Sequence, residues 1–362
     1  MGNITRTFAN NITTGGKFDA TDLTGTLPAS NVADASVTNI TDVPALVATT
    51  TVASDPPSPD NGQMWYNSTD RVLRGYVQLG SWATGGNMNT GRFYNDASGT
   101  QTSSLVHGGE RVGDNPAQKA NTEEYNGSSW TEVNDFNTNR QAHASAGANA
   151  EACLAIAGYS VSSNTTNCEL WDGTNWTEVN NINTARRYFA GDGISTSAIA
   201  FGGGTFPPNY RSEAESWDGT NWTEVGDLNT ARYSLGGSGT SNTSALAWDG
   251  NTGSGVAICE LWDGTSWTEV ADVNTQRYSR GSGSSTLTVT FGGAPSSGAT
   301  ELWDGTTWTE TNDMSTGREG MAASGGGNSA LASGGTPSSP QSNLTATEEW
   351  TKTEVVTTLG AS

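Results

Sequence analysis

Positive charge is scarce in this chain: 16 Lys and Arg stand against 37 Asp and Glu, a formal net charge of −21. The deficit argues against a nucleic-acid partner, because neutralising phosphates needs Lys and Arg in excess. It also argues against adhesion to anionic lipid by charge alone. The acidity reads as solubility at a crowded surface. Long apolar runs are missing, so no segment has the length for membrane insertion, and the N-terminus carries no apolar export core. Cysteine is limited to Cys153, Cys168 and Cys259, an odd count with no C-x-x-C pair and hence no disulfide framework. Low Lys, Leu and Glu content argues against long helices. What remains is rich in small residues, with 46 glycines, and the expectation is an all-β chain.

One stretch organises that chain. ELWDGTNWTEVNNINTAR at 169–186 recurs as ESWDGTNWTEVGDLNTAR from Glu215, ELWDGTSWTEVADVNTQR from Glu260 and ELWDGTTWTETNDMSTGR from Glu301. A weaker copy, EYNGSSWTEVNDFNTNR, starts at Glu124. The second tryptophan of each copy falls at Trp130, Trp176, Trp222, Trp267 and Trp308, in steps of 46, 46, 45 and 41 residues. Periods in the forties, with four strands' worth of sequence each, belong to propeller blades. The strands, A to D, begin at the Arg, end at a Gly-Gly, end at the first Trp, and begin at the second. Asp-Gly between C and D is a hairpin signal. A and B are built from Gly, Ala and Ser while C and D carry the indoles, which suits a wedge narrow at one side and wide at the other.

The arrangement of an initial Arg, a glycine doublet and spaced aromatics (Arg186, Gly202, Gly203, Trp217 and Trp222 in one copy) resembles the kelch motif. Two copies depart from it, with Trp248-Asp249-Gly250 and Ala157-Gly158 in place of the doublet. Initial Arg residues at 92, 140, 186, 232, 277 and 318 count six blades. The C-position aromatics are Tyr125, Trp171, Trp217, Trp262, Trp303 and Trp350. Trp82, ten residues before Arg92, stands as the sixth D-position indole, so residues 79–86 are expected to close the last blade. TKTEVVTTL at 351–359 competes for that place.

The fold class is thus an all-β, six-bladed kelch-like propeller over 81–362, preceded by a hairpin at 61–80 and an extended segment at 1–60. Residues 1–60 hold Phe8 and Phe18 as their only aromatics and cannot bury enough apolar surface to order themselves. Asp55-Pro-Pro-Ser-Pro-Asp60 reads as a stiff linker. Gly25-Thr-Leu-Pro-Ala29 and Gly62-Gln-Met-Trp-Tyr-Asn67 look like parts of tailed-bacteriophage fibre proteins, and repeats written ELWDGTxWTEV…NTAR are similar to those of structural proteins of marine phages. The resemblance implies a virion protein on the tail or particle surface. Ile4, Arg6, Phe8, Ile12 and Phe18 would attach it to other virion proteins as a homo-oligomer, a trimer among the options. The propeller would be displayed outward.

Catalysis needs residues that break the repeat, and few do. His107 and His143, placed in a B strand and the next A strand, lack the tyrosine pair that a copper oxidase of the kelch type would need. Six Arg invite comparison with sialidases, yet a residue repeated in every blade reads as structural, pairing with Glu132, Glu178, Glu224, Glu269 or Glu310. The Asp-Gly pairs at Asp172, Asp218, Asp263 and Asp304 suffice as turns without calcium. No cofactor and no metal is expected, and the chain reads as a binding protein rather than an enzyme. Function is expected where blades differ, in the B–C loops 110–122, 159–167, 204–213, 251–256, 294–299 and 336–346. Arg111, Lys119, Phe206, Asn209, Tyr210 and Arg211 are the candidate contacts for a host-surface glycan or protein. The alternatives are a purely structural head-decoration or collar protein and a glycan-processing propeller enzyme.

Overall fold

The computed structural model describes residues 50–57, 63–205, 209–295, 297–337 and 341–359. The chain divides by internal packing into Gly80–Lys352 and a smaller unit made of Met1–Leu79 and Thr353–Ser362. The candidate contact residues Ile4, Arg6, Phe8, Ile12, Phe18 and Phe206 lie outside the described residues.

In the smaller unit β1 (Thr50–Val52) pairs parallel with β2 (Met64–Asn67), and β2 pairs antiparallel with the start of β3 (Val72–Thr84). Trp65 is fully buried and its Nε1 donates to Asp55 Oδ1 at 2.9 Å. Asn67 Nδ2 donates to the same oxygen, and Arg74 forms an ion pair with Asp55. Asp55 is therefore bound to the hairpin, three donors meeting one carboxylate.

The larger unit is all-β. Four-stranded antiparallel sheets follow one another along the chain, compatible with a β-propeller. The first holds β4 (Asp96–Thr100), β5 (Ser103–His107), β6 (Thr122–Tyr125) and β7 (Trp130–Val133). The second holds β8 (Ala144–Asn149), β9 (Ala152–Ser160), β10 (Ser163–Trp171) and β11 (Trp176–Val179). In the third, β12 (Ala190–Ile194) and β13 (Ser197–Phe201) join β16 (Ala214–Trp217) and β17 (Trp222–Val225), with β14 (Gly204–Thr205) and β15 (Asn209–Tyr210) as a separate pair between them. β18 (Gly236–Ser241), β19 (Ser244–Trp248), β20 (Cys259–Trp262) and β21 (Trp267–Val270) make the fourth. The fifth comprises β22 (Tyr278–Ser284), β23 (Leu287–Ala294), β24 (Thr300–Trp303) and β25 (Trp308–Thr311). In the last set β26 (Ala322–Gly326) and β27 (Ser329–Ser333) precede β28 (Thr347–Leu359), and β28 has β3 as its other neighbour.

First strands pack on first strands: β4 on β8, β8 on β12, β12 on β18, β18 on β22, β22 on β26, and β26 on β4. Their Gly, Ala and Ser content permits this. A Cβ on Gly191 would lie 2.9 Å from the Ala144 Cβ of the preceding first strand. β4, β8, β12, β18 and β26 begin four residues after their Arg and β22 begins directly after Arg277, and each Arg side chain is occupied elsewhere.

That occupation explains N-T-x-R. Arg140 donates through Nη1 to Asn167 O and through Nη2 to Glu169 Oε1, both at 2.7 Å, while Asn137 donates N and Nδ2 to Glu169 Oε2. Arg92–Glu123, Arg186–Glu215, Arg232–Glu260, Arg277–Glu301 and Arg318–Glu348 repeat the pairing in buried surroundings. The partner is thus the Glu of strand C, and the expected Glu132, Glu178, Glu224, Glu269 and Glu310 are not the partners. Those sit on strand D, the outer edge, where Glu132, Glu178, Glu224 and Glu269 face solvent. Breaking one buried pair would strand a charge, at a cost of about 3–5 kcal/mol.

The indoles divide by role. Those of strand C donate to their own sheet's A–B turn: Trp171 to Ala150 O, Trp217 to Ser195 O, Trp262 to Asn242 O and Trp303 to Ser285 O. Those of strand D reach into a neighbouring sheet, to the residue that opens its strand C. Trp176 donates to Thr122 Oγ1, Trp130 to Thr347 Oγ1 and Trp82 to Thr300 Oγ1, at 3.1–3.2 Å. Cys168 and Cys259 fill the same slot opposite Trp222 and Trp308, whose Nε1 atoms have no oxygen acceptor and face the thiols instead. Where the slot is Ala214, Trp267 turns to Gly226 O.

Candidate functional site

Strands alternate in direction, so the D–A and B–C connections emerge at one end of each sheet. Isolated bridges tie them together there: Phe93 to Glu110, Gln141 to Tyr159, Arg187 to Gly204, Tyr233 to Asn251 and Glu319 to Thr336. The residue two after the conserved-slot Arg bends into the left-handed region, with φ of 51° at Tyr94, 50° at Ala142, 53° at Tyr188, 55° at Ser234 and 62° at Gly320. These bends bond in series. Tyr94 N donates to Gly320 O, Ala142 N to Tyr94 O, Tyr188 N to Ala142 O and Ser234 N to Tyr188 O. A left-handed tyrosine is uncommon and strained, and such strain gathers at functional positions.

The bends hold a row of part-exposed tyrosines. Ring centroids step 5.2 Å from Tyr94 to Tyr188, 6.1 Å on to Tyr233 and 5.6 Å on to Tyr210, the last two stacked within 9° of parallel. The Arg187 guanidinium lies over Tyr159 at 4.5 Å and beside Tyr188 at 5.3 Å. Tyr278 Oη accepts from Asn251 Nδ2 at 2.6 Å. Burial raises the phenol pKa of Tyr94, Tyr188 and Tyr233, so they remain neutral donors. Burial likewise raises Glu319 beside Tyr94. Aromatic faces, neutral hydroxyls and one guanidinium can stack against and hydrogen-bond a polyhydroxylated ligand.

Of the loop candidates, Tyr210 joins this row. Arg111 and Lys119 both turn onto Asp114, at 3.5 and 2.7 Å, and Arg211 pairs with Glu213 at 2.6 Å. Their charges are matched locally. Asn209 is exposed and pairs with Thr205 across the β14–β15 turn. The loops supply one tyrosine. Tyr94, Tyr188, Tyr233, Tyr278 and Arg187 lie outside the B–C loops, in the residues just after N-T-x-R. The signal was present: Phe-Tyr, Gln-Ala, Arg-Tyr, Tyr-Ser, Tyr-Ser and Glu-Gly follow the six Arg, in a sequence otherwise repeated closely.

His107 and His143 bond to each other, Nδ1 to Nε2 at 2.9 Å, and His143 precedes β8 rather than lying within it. Cys153 Sγ is 3.3 Å from His107 Nε2. The two nitrogens of His107 thus face different partners. Among the described residues, no three His, Cys, Asp or Glu side chains gather around one metal position. The Asp-Gly turns close on themselves: Asp172 Oδ1 accepts from Thr174 N and Asn175 N at 2.8 Å, which lowers the carboxyl pKa. No protein-family model matches the chain, and no curated protein matches it.

Proposed function

We propose that Gly80–Lys352 is a closed six-bladed propeller and that the chain is a tailed-phage virion protein, a tail fibre or tail-associated adhesin, which binds a host-surface glycan through its tyrosine row. The succession of first strands, ending with β26 on β4, supports the closure. The kelch-like and phage-like repeat sequences support the origin. The observation that carries the binding reading is the row Tyr94, Tyr188, Tyr233 and Tyr210, part-exposed at one end of the sheets, with Tyr94 and Tyr188 on left-handed backbone. Stacking tyrosines supply contact area with little conformational entropy to lose, which suits sugar recognition. This is a binding surface without catalytic groups, and bound polysaccharide stays intact.

An array of bacterial surface polysaccharides, probed with the full chain, tests the reading. The protein retains at least one glycan, and Tyr188→Ala/Tyr233→Ala weakens retention about tenfold, or roughly 1.4 kcal/mol. Thermal unfolding of the variant confirms that it is folded. No binding by intact protein, or shortening of the bound polymer, overturns the adhesin reading in favour of a structural part or an enzyme respectively.

A further inference from the structure

The six first strands share a pattern of small residues that three side chains break. Aligned on the glycine near their end, β4, β8, β12, β18, β22 and β26 carry Asp96, Ala144, Ala190, Gly236, Arg280 and Ala322 at one level. Two residues on they carry Ser98, Ala146, Asp192, Ser238, Ser282 and Ser324. Asp96, Asp192 and Arg280 are the charged residues of these strands, and β4, β12 and β22 alternate in the packing order.

All three line one void of about 240 Å³ enclosed by the six strands. At one end its lining includes Thr100, Ala148, Ile194 and Thr240, all exposed, so it opens there to solvent. At the other the lining stops at His143, Phe189 and Leu235, one residue short of the left-handed bends and their bonded backbone. The tyrosine row contributes nothing to it, so this site is separate from the glycan surface.

The polar groups inside are under-used. Arg280 carries five N–H donors, and one, on Nη1, reaches a protein acceptor among the described residues, Leu235 O at 3.2 Å. It forms no ion pair among those residues. Asp96 accepts from Ser145 Oγ at 3.1 Å, and Asp192 accepts from Gly193 N at 2.8 Å. His143, 3% exposed, has no partner for Nδ1. Charged side chains in a narrow polar void call for partners of opposite sign. A bare cation would meet Arg280 and a bare anion would meet the two aspartates, so either alone leaves one group opposed. Arg280 and Asp96 share the level farther from that opening, whereas Asp192 stands two residues, about 7 Å, nearer it.

We propose that this channel binds a small zwitterion, its carboxylate on the Arg280 guanidinium deeper in the channel and its ammonium on Asp192 nearer the exposed end. Burial raises the carboxyls of Asp96 and Asp192, so Asp96 meets the ligand carboxylate as a neutral acid and Asp192 ionises on meeting the ammonium. Arg recognises a carboxylate by paired hydrogen bonds, and Asp recognises an ammonium as a point charge.

Calorimetric titration of the full chain with glycine, β-alanine and γ-aminobutyrate tests this, with acetate and ethylammonium as single-charge controls. At least one zwitterion binds, and both controls bind at least tenfold more weakly. Arg280→Ala and Asp192→Ser restore residues that other first strands carry at those levels, so both variants fold, and each weakens binding at least tenfold. Thermal unfolding with and without ligand gives a second reading of the same ranking. Absence of binding by every zwitterion, equal binding of either control, or wild-type affinity in both variants overturns the proposal.

Discussion

His107 on β5 and His143 just before β8 have no carboxylate partners among the described residues, and burial, with the charges of Arg140 and Arg92 and for His143 also that of His107, holds both well below the usual imidazole pKa. A base depressed in the folded state contributes fully above its unfolded pKa, about 6.5, and loses stability as pH falls below it. Each such histidine costs up to about 1.4 kcal/mol per pH unit in that window. Three acids act in the opposite sense, because burial raises Asp96 to about 6 and Asp249 to about 7 and also raises Asp192. Their protonated forms favour the folded state, and that benefit is lost as pH rises. Comparing wild type with His107→Gln cancels the acids. Between pH 7.5 and 5, wild type should lose stability relative to the variant in urea titrations. A difference independent of pH would mean that His107 is not held neutral. The sequence marked both histidines as exceptions but could not show that they meet. It likewise marked the repeated Arg as structural and named the wrong glutamate, since two Glu per repeat fit the spacing and only strand order decides between edge and interior.

Among elements, β3 carries the most informative indole. Two candidates fitted the last outer strand in sequence, residues 79–86 and 351–359, because both alternate like a strand. The structure continues β28 straight through 351–359, and TKTEVVTTL holds no Gly, Pro, Asn or Asp to reverse it. Trp82 instead takes the D-position role: its Nε1 reaches Thr300 Oγ1, and its ring meets Phe291 at 4.9 Å and Trp350 at 5.5 Å. These partners match those of Trp130 and Trp176, although Trp82 lies outside the clear repeats and is only partly buried. Trp82→Ala should cost about 3 kcal/mol, near the lower end for a core tryptophan, with Trp222→Ala as the fully packed reference. An unchanged urea midpoint for Trp82→Ala would remove the strand from the core. The period, the Gly doublets and the indole spacing were legible because they recur. The tyrosine row was not, because its members come from successive connections and are adjacent only once the sheets are placed.

At the scale of the whole molecule, the proposed function assigns attachment and display to different parts of the chain. The composition of residues 1–49, with many Thr, Asn and Ala and two aromatics, offers little for a core of its own. Asp55 holds Trp65, Asn67 and Arg74, and β1 just before it pairs with β2. A deletion through residue 55 would remove both β1 and that carboxylate, leaving the Trp65 indole N–H without its acceptor. The cleaner cut therefore ends at residue 49. On the proposal that the N-terminal segment joins other virion proteins, the shortened chain should unfold at the same temperature as the full one. It should still bind whatever glycan the intact protein binds. In particles assembled with it as the sole copy, gel analysis of purified virions should show its loss. Normal incorporation at normal copy number would place attachment in the sheets themselves, and the outward display of the tyrosine row would fall with it.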